Sequence, residues 1–296
     1  MKHSYGGLNF ESPIPFPLPL ADGPVDFFLQ HAEQVSLTSA EFTFDLGSGN
    51  REQLLAAVPG FDWILIRHGK EAIYTALQDP HSEPLKFILL DFIYGCLSVQ
   101  RGALVLEALV VMVAGRTILV VGPPDARSAL AAAVKRRGEV VLCDGAIAVA
   151  LDQEHATVHG TARYLRLTPE TAALLEPQCD CRFLDCYLSK VEFDRSLDRP
   201  VPLDLILNLA GNGAGQLLDQ DQALISLLGA LWFQRLASCV QGQGIFLSLK
   251  ALAARVPAMS VTMKDARMDA PEIEELIESF ALKNGAGMYQ RTHAIR

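Results

Sequence analysis

Residues 115–145 read GRTILVVGPPDARSALAAAVKRRGEVVLCDG, and the order of residue types in this stretch decides the fold class. A β-branched and leucine run ends at Gly122, and Pro123, Pro124 and Asp125 follow. Residues 126–137, ARSALAAAVKRR, are rich in strong helix formers, place their basic residues in the last turn and stop at Gly138, which suits the left-handed exit of a helix. Residues 139–143 return to β character and are expected to end on Asp144 and Gly145. Strand, glycine turn, helix, strand is the unit of nucleotide-binding α/β sheets, so the chain is expected to be an α/β protein with flanking helices.

Upstream, residues 108–121 contain two β-branched runs joined at Ala114 and Gly115, the pattern of a tight hairpin. Residues 85–99, LKFILLDFIYGCLSV, place Phe87, Leu90, Ile93, Tyr94 and Leu97 at helical spacing and predict a buried helix. Pro13, Pro15, Pro17 and Pro19 alternate along an extended edge strand or strap, and EFTFDL (41–46) and WILIR (63–67) read as short strands. Residues 1–85 therefore read as a small, mostly β N-terminal domain, and 86–296 as the α/β core with C-terminal helices.

Downstream, residues 147–151 and 155–159 suggest a hairpin, and 164–167 a short strand. Thr168 and Pro169 start a helix. Residues 201–209, VPLDLILNL, read as a buried strand with Asp204 on a solvent-side or edge position. A single apolar helix is expected over 221–240, including Trp232 and Phe233, another over 245–255, and a strand over 261–263. Residues 271–282 predict an acidic amphipathic helix with Ile273, Leu276, Ile277 and Phe280 on one face, which must pack on the core or on another subunit.

The chain has 296 residues, half of them apolar, with 25 Lys+Arg against 34 Asp+Glu and a formal net charge of −9. Its mean hydropathy is +0.22. That is enough apolar residue to build a large core, and no basic stripe is present to neutralise a phosphate backbone, so nucleic acid is not expected as a partner. Residues 103–122 are apolar enough to raise a membrane span, but Glu107 and Arg116 interrupt them and favour core strands. The first residues show no apolar leader pattern, which leads us to expect a cytoplasmic protein with no membrane partner. Six cysteines are too few for a disulfide scaffold and are expected as reduced thiols.

Taken together, four segments resemble the HPr kinase/phosphorylase-like P-loop proteins, specifically the HPr-related kinase group. They are YGGLNFESPIPFPLPL (5–20), QRGAL (100–104), the stretch 115–145 and LAARVPAMSVTM (252–263). The resemblance implies a P-loop, HPr-kinase-like core sheet, an ATP-dependent serine kinase using Mg²⁺, and a hexamer in the best-known members. The family's phosphate loop reads G-x-x-x-x-G-K-[ST], and laid over 122–129 only Gly122 matches. Arg127 stands at the second glycine, Ser128 at the lysine and Ala129 at the Mg²⁺-binding hydroxyl. Glu107 stands where the family has a histidine, and of its acidic pair only Asp144 remains.

Such a loop cradles phosphate through backbone N–H groups, and Pro123 and Pro124 have none. Asp125 is expected at the helix N-cap, where its own carboxylate would take the place of an anion. The expectation is a degenerate nucleotide site at Gly122, Asp125, Arg127, Ser128 and Asp144 in a pseudokinase with no catalytic residue and no cofactor. Its partner would be another protein, an active paralogue or a second copy of itself. The alternative is an ATP- and Mg²⁺-dependent kinase in which Arg127 replaces the lysine and Asp144 is the base.

Other patterns are weaker. Cys179, Cys181 and Cys186 with His155 and His159 raise a zinc site, but no C-x2-C pair is present, and a surface loop with core thiols is the plainer reading. Residues 211–215, GNGAG, lack the spacing of a dinucleotide loop and read as a connector. Ser98, Ser128 and Ser248 have no nucleophile-type flanks, and His31 and His68 sit in polar surroundings.

Overall fold

The computed structural model describes residues 1–32, 48–49, 53–58, 61–75, 82–161, 164–175, 181–183, 186–191, 199–209, 216–232 and 234–261. The strand expected over 41–46, the connector 211–215, the helix expected over 271–282, Cys179 and Phe233 lie outside the described residues. The fold is mixed α/β, with three sheets among the described residues. No helix among the described residues is long and apolar enough to cross a membrane.

The N-terminal strands are β1 (Lys2–Tyr5), β2 (Leu8–Glu11), β3 (Phe27–His31), β4 (Ser48–Gly49), β5 (Gln53–Val58), β6 (Phe61–Arg67) and β7 (Glu71–Tyr74). They form one sheet in the order β1-β2-β3-β7-β6-β5-β4. Gly6 and Gly7 both take positive φ, the geometry of a two-residue hairpin turn between β1 and β2. The proline segment returns along β1, with Ser4 N–H donating to the Pro19 carbonyl at 3.2 Å and Leu20 bridging His3. Prolines offer no N–H to a further strand, so this strap closes the sheet edge against other chains.

Helix α1 (Glu83–Gln100) follows, with the Ser82 hydroxyl as its N-cap acceptor. As the sequence predicts, α1 is a buried helix: residues 85–99 are buried almost without exception because α1 is packed between the first sheet and the second. Arg101, just past its end, donates to the Gly69 and Asp26 carbonyls and so ties α1 to the β6–β7 turn.

Next come β8 (Leu104–Val113), β9 (Arg116–Val121), α2 (Pro124–Arg136), β10 (Val140–Leu151), β11 (Ala156–Val158) and β12 (Tyr164–Leu167). After them run α3 (Pro169–Leu175), β13 (Cys181–Phe183), β14 (Cys186–Lys190), β15 (Val201–Pro202), β16 (Leu205–Asn208) and β17 (Gln216–Leu217). The last described elements are α4 (Gln220–Gly229), α5 (Gln234–Gln241), α6 (Gln243–Arg255) and β18 (Ala258–Ser260). The second sheet has the order β15-β11-β10-β8-β9-β16-β18-β17, and β12-β14-β13 form a third.

The β8–β9 hairpin turns at Ala114 and Gly115, both at positive φ, where the sequence places it. β9 and β10 are each antiparallel to β8, so they run parallel to one another with β8 between them, and β16 adds parallel to β9. The expected strand, loop, helix, strand unit is therefore present, with an extra strand inserted. Side chains alternate in β8 and β9 as a strand requires. Leu106, Ala108, Val110, Leu119 and Val121 pack with α4, α5 and α6, whereas Leu109, Val111, Ile118 and Val120 pack with α2 and β12.

Three sequence expectations differ from the structure. β10 does not end at Asp144 and Gly145 but runs on to Leu151, because its ladder with β8 continues through both residues and a bulge at Val141–Cys143 absorbs the irregularity. The helix expected over 221–240 is two helices, since Leu231 bridges Leu106 and Trp232 N–H donates to the Val105 carbonyl between them. The strand expected over 201–209 is split at Asp204, whose carboxylate accepts the Thr117 N–H at 2.8 Å while its own N–H donates to the Thr117 carbonyl. Asp204 is thus a splice between β15 and β16 rather than an edge position.

Gly95 lies where α1 crosses β10, and a Cβ there would stand 2.7 Å from the Trp232 ring and 2.9 Å from Ala146 Cβ. Helix propensity favours alanine over glycine by about 1 kcal/mol, but overpacking costs about 1–3 kcal/mol. Gly95→Ala is expected to lower stability, read as a reduced urea midpoint at unchanged m-value.

Candidate functional site

The loop between β9 and α2 is where a phosphate site of this fold class would form. Gly122 takes φ +134°, and a Cβ on it would lie 3.0 Å from Leu209 Cβ and 3.2 Å from the Leu209 nitrogen, so the crossing to β16 requires glycine. Pro123 is the N-cap residue of α2, and no side chain caps the helix. The expectation that Asp125 caps and fills this end is corrected. Proline at 124 is pre-organised for the first helical position, so α2 starts two residues earlier than expected and carries Asp125 into the first turn with its side chain exposed. Its charge still favours the dipole there, without a hydrogen bond to the helix N–H groups.

The residues aligned with the phosphate-binding side chains point elsewhere. Arg127 is nine-tenths buried, and its Nη2 donates to Glu107 Oε1 at 3.2 Å, while its Nε is buried without a hydrogen-bond acceptor. The buried Ser128 hydroxyl accepts the Thr168 N–H at 2.9 Å, fastening α2 to the start of α3, and Ala129 is in the core.

Asp144 belongs to a partly buried ionic network, in which Asp91 is buried and Asp144 and Arg166 keep some exposure. Arg166 on β12 donates through Nη2 to Asp91 Oδ2 on α1, and its backbone N–H donates to Asp144 Oδ2 at 2.7 Å. Asp91 Oδ2 also accepts the Ala146 N–H at 3.4 Å. Gly145 takes φ +132°, and a Cβ on it would lie 2.5 Å from Asp91 Oδ2 and 2.7 Å from Arg166 Nη2. The glycine after Asp144 therefore exists to admit this ion pair. Above it a pocket is lined by Tyr5, Phe87, Ile88, Thr161, Tyr164 and Leu188, with Asp91, Asp144 and Arg166 at its polar end.

Burial dominates the electrostatics. The Asp91 carboxyl is pushed up to about 6, first by desolvation and further by the Asp144 and Glu107 carboxylates, against the pull of Arg166 and the Ala146 N–H. Asp144 is also raised, again by burial first, with Arg166 and Arg127 opposing. Arg127, Glu107 and Asp144 thus act on one another electrostatically, and Gly122 and Asp125 take no part in the network. The network can hold an additional proton in weakly acidic solution. Asp144 as a base would first have to leave the Arg166 N–H.

The cysteine and histidine pattern is spread out. Cys181 stands opposite Leu188 and Cys186 opposite Phe183 across the β13–β14 hairpin, and His155 and His159 flank β11. Among the described residues no group of three or more His, Cys, Asp or Glu side chains is placed to hold a metal. Cys143 donates its thiol proton to the His159 carbonyl, and burial pushes that thiol up to about 12. Cys96 is likewise raised by burial.

Sequence reasoning missed Asp91 and Arg166. The signal was present in each case: an aspartate in the middle of the apolar run LKFILLDFIYGCLSV, and an arginine in the strand YLRL.

No protein-family model matches the chain. No curated protein matches it either. Among solved structures, the chain is similar to the Hpr(Ser) kinase/phosphatase from Coxiella burnetii, at 14% identity over 61% of this chain and 97% of that one, with a TM-score of 0.34. At that score the likeness bears on neither activity nor residue roles.

An unfolded aspartate ionises near 3.8, against about 6 for Asp91 in the fold, so between these values the folded state holds more protons. Stability should therefore fall as pH rises from about 4 to about 6, by about 3 kcal/mol for this group. Asp144 contributes with the same sign. Urea denaturation across this range checks it, with Asp91→Asn expected to flatten the fall and a rise in wild-type stability contradicting the burial argument. Gly145→Ala meets both a positive φ and the ion pair, and is expected to cost about 2–4 kcal/mol in the same measurement.

Proposed function

We propose that the chain is a catalytically degenerate, HPr-kinase-like protein that works as a binding or regulatory subunit. In this reading residues 86–296 form a P-loop core whose β9–α2 element survives as scaffold, preceded by a small β unit over 1–85. The partner would be another protein, an active paralogue or a second copy, in the cytoplasm, with no nucleotide or metal needed.

The observation that carries the reading is the chemistry of the β9–α2 loop. Two of its positions are prolines without an N–H, Arg127 is drawn onto Glu107, and Ser128 is engaged by Thr168. A lysine ammonium about 4 Å from a phosphate contributes on the order of 4 kcal/mol at an effective dielectric near 20, and nothing replaces it. The exposed Asp125 carboxylate adds repulsion at the same helix end. A kinase built on Arg127 and Asp144 would have to draw the buried Arg127 from the half-exposed Glu107 and compete with the Arg166 N–H for the Asp144 carboxylate.

Calorimetric titration of the purified full chain with Mg·ATP tests the reading. The expected result is no saturable heat in the micromolar range, and micromolar binding would end it in favour of a kinase with a rearranged phosphate site.

A further inference from the structure

The pocket beside the Asp91–Arg166 ion pair has a polar end whose hydrogen bonding is incomplete. Among the described residues, Asp91 accepts from Arg166 Nη2 and the Ala146 N–H, and Asp144 accepts from the Arg166 N–H. All three donors go to Oδ2, so Oδ1 of each carboxylate is without one. Asp91 lines the pocket with its side chain nine-tenths buried, and Asp144 lines it half-buried. A buried carboxylate oxygen without a donor is costly and calls for one.

Charge decides what kind of donor fits. Asp91, Asp144 and Glu107 act on one another together with Arg166 and Arg127, so that three carboxylates face two guanidinium groups and one negative charge is in excess when all are ionised. Glu83, at the start of α1, is already matched by Lys190 at 3.0 Å and by the Tyr164 hydroxyl at 3.2 Å, which leaves the excess with the aspartates. The missing partner is a cation that donates hydrogen bonds. A metal ion suits the place less well, because hard cations take six or more oxygens and no group of three or more His, Cys, Asp or Glu side chains among the described residues is placed to hold one.

Size and lining narrow the choice. The enclosed space is about 20 Å³, room for one water-sized group, which admits an ammonium head and excludes a trimethylammonium one. Beyond the acids the walls are apolar. The Phe87 and Tyr164 rings stand 5.8 Å apart, Tyr5 lies 6.4 Å from Phe87, and Ile88 and Leu188 complete the lining. Such walls suit a chain of methylenes that carries its charge at the tip.

We propose that this pocket takes the head of a primary alkylammonium group, whose N–H groups donate to Asp91 and Asp144 while its methylene stem lies along Phe87 and Tyr164. A free amine and the lysine side chain of a peptide share this chemistry. The site is independent of whether the β9–α2 loop binds nucleotide.

Nuclear magnetic resonance of the ¹⁵N-labelled full chain tests it, because the Ala146 and Arg166 amides are bonded to the two carboxylates and report on them directly. Titration at pH 7 with n-butylammonium and with Nα-acetyl-lysine amide is expected to shift both amides saturably in the millimolar range, and the tighter of the two identifies the source. A proton competes for the same carboxylate. Asp91 titrates near 6 and the raised Asp144 adds in the same direction, while Tyr94 and Cys143 are pushed up by burial and stay protonated, so affinity is expected to fall about tenfold from pH 7 to pH 5. Asp91→Asn is expected to abolish the response. Ile88→Lys, at a half-buried lining position outside the ionic network, sets a like charge beside the site and is expected to weaken binding at least about tenfold without removing a carboxylate. Three outcomes overturn the proposal: no saturable shift in the wild type, equal shifts from n-butanol or choline chloride, or an affinity unchanged between pH 7 and pH 5.

Discussion

The Asp91 carboxylate, taken out of water where α1, β10 and β12 meet and answered there by the half-buried Arg166 and Asp144, constrains the rest of this molecule. Asp91, Asp144 and Arg166 are far apart in the chain, and each is supplied by a different element. Asp91 is the costly member, because a buried charge left without its partner is expensive, and the partial exposure of Arg166 lessens that cost. α1 must therefore keep its distance from β10, residue 145 must have no side chain, and β12 must lie close enough for its backbone to reach Asp144. The net balance still raises the Asp91 carboxyl to about 6, since burial outweighs the attraction of one arginine shared between two acids.

The same network organises the neighbourhood of the β9–α2 loop. Glu107 faces Arg127 from β8, and both act on Asp144, so the cations that a phosphate loop would aim outward are turned inward to balance carboxylates. Pro123 and Pro124 then make the loop a rigid connector. They suit the start of a helix, which is why α2 begins at Pro124, and they leave few N–H groups for an anion. One local choice explains both the early helix start and the exposed position of Asp125.

Much of the fold is legible in the residues because it depends on short-range rules. The β8–β9 hairpin follows from β-branched runs around Ala114 and Gly115, the end of α2 from Gly138, and α3 from Thr168 and Pro169, whose hydroxyl does accept the Thr171 N–H. The failures share a cause. Gly145 looks like a strand end but is a clearance for side chains from α1 and β12; residues 221–240 look like one helix but are interrupted by pairing with β8; Asp204 looks like an edge residue but bridges to Thr117. In each case a partner distant in the chain overrides the local preference.

By itself, then, the sequence determined the α/β alternation, the turn at residues 114–115, the boundaries of α1 and α2 to within a turn, and the lack of backbone N–H groups at Pro123 and Pro124. These rest on backbone conformation and on which atoms a side chain has, properties a residue carries with it. Only the tertiary structure decided that Asp91, Asp144 and Arg166 share one site, that Arg127 answers Glu107, and that Asp125 is left exposed. A charge in a strand or helix is a solvent group or a buried ion according to what packs over it, and that is set by contacts between segments separated by tens of residues.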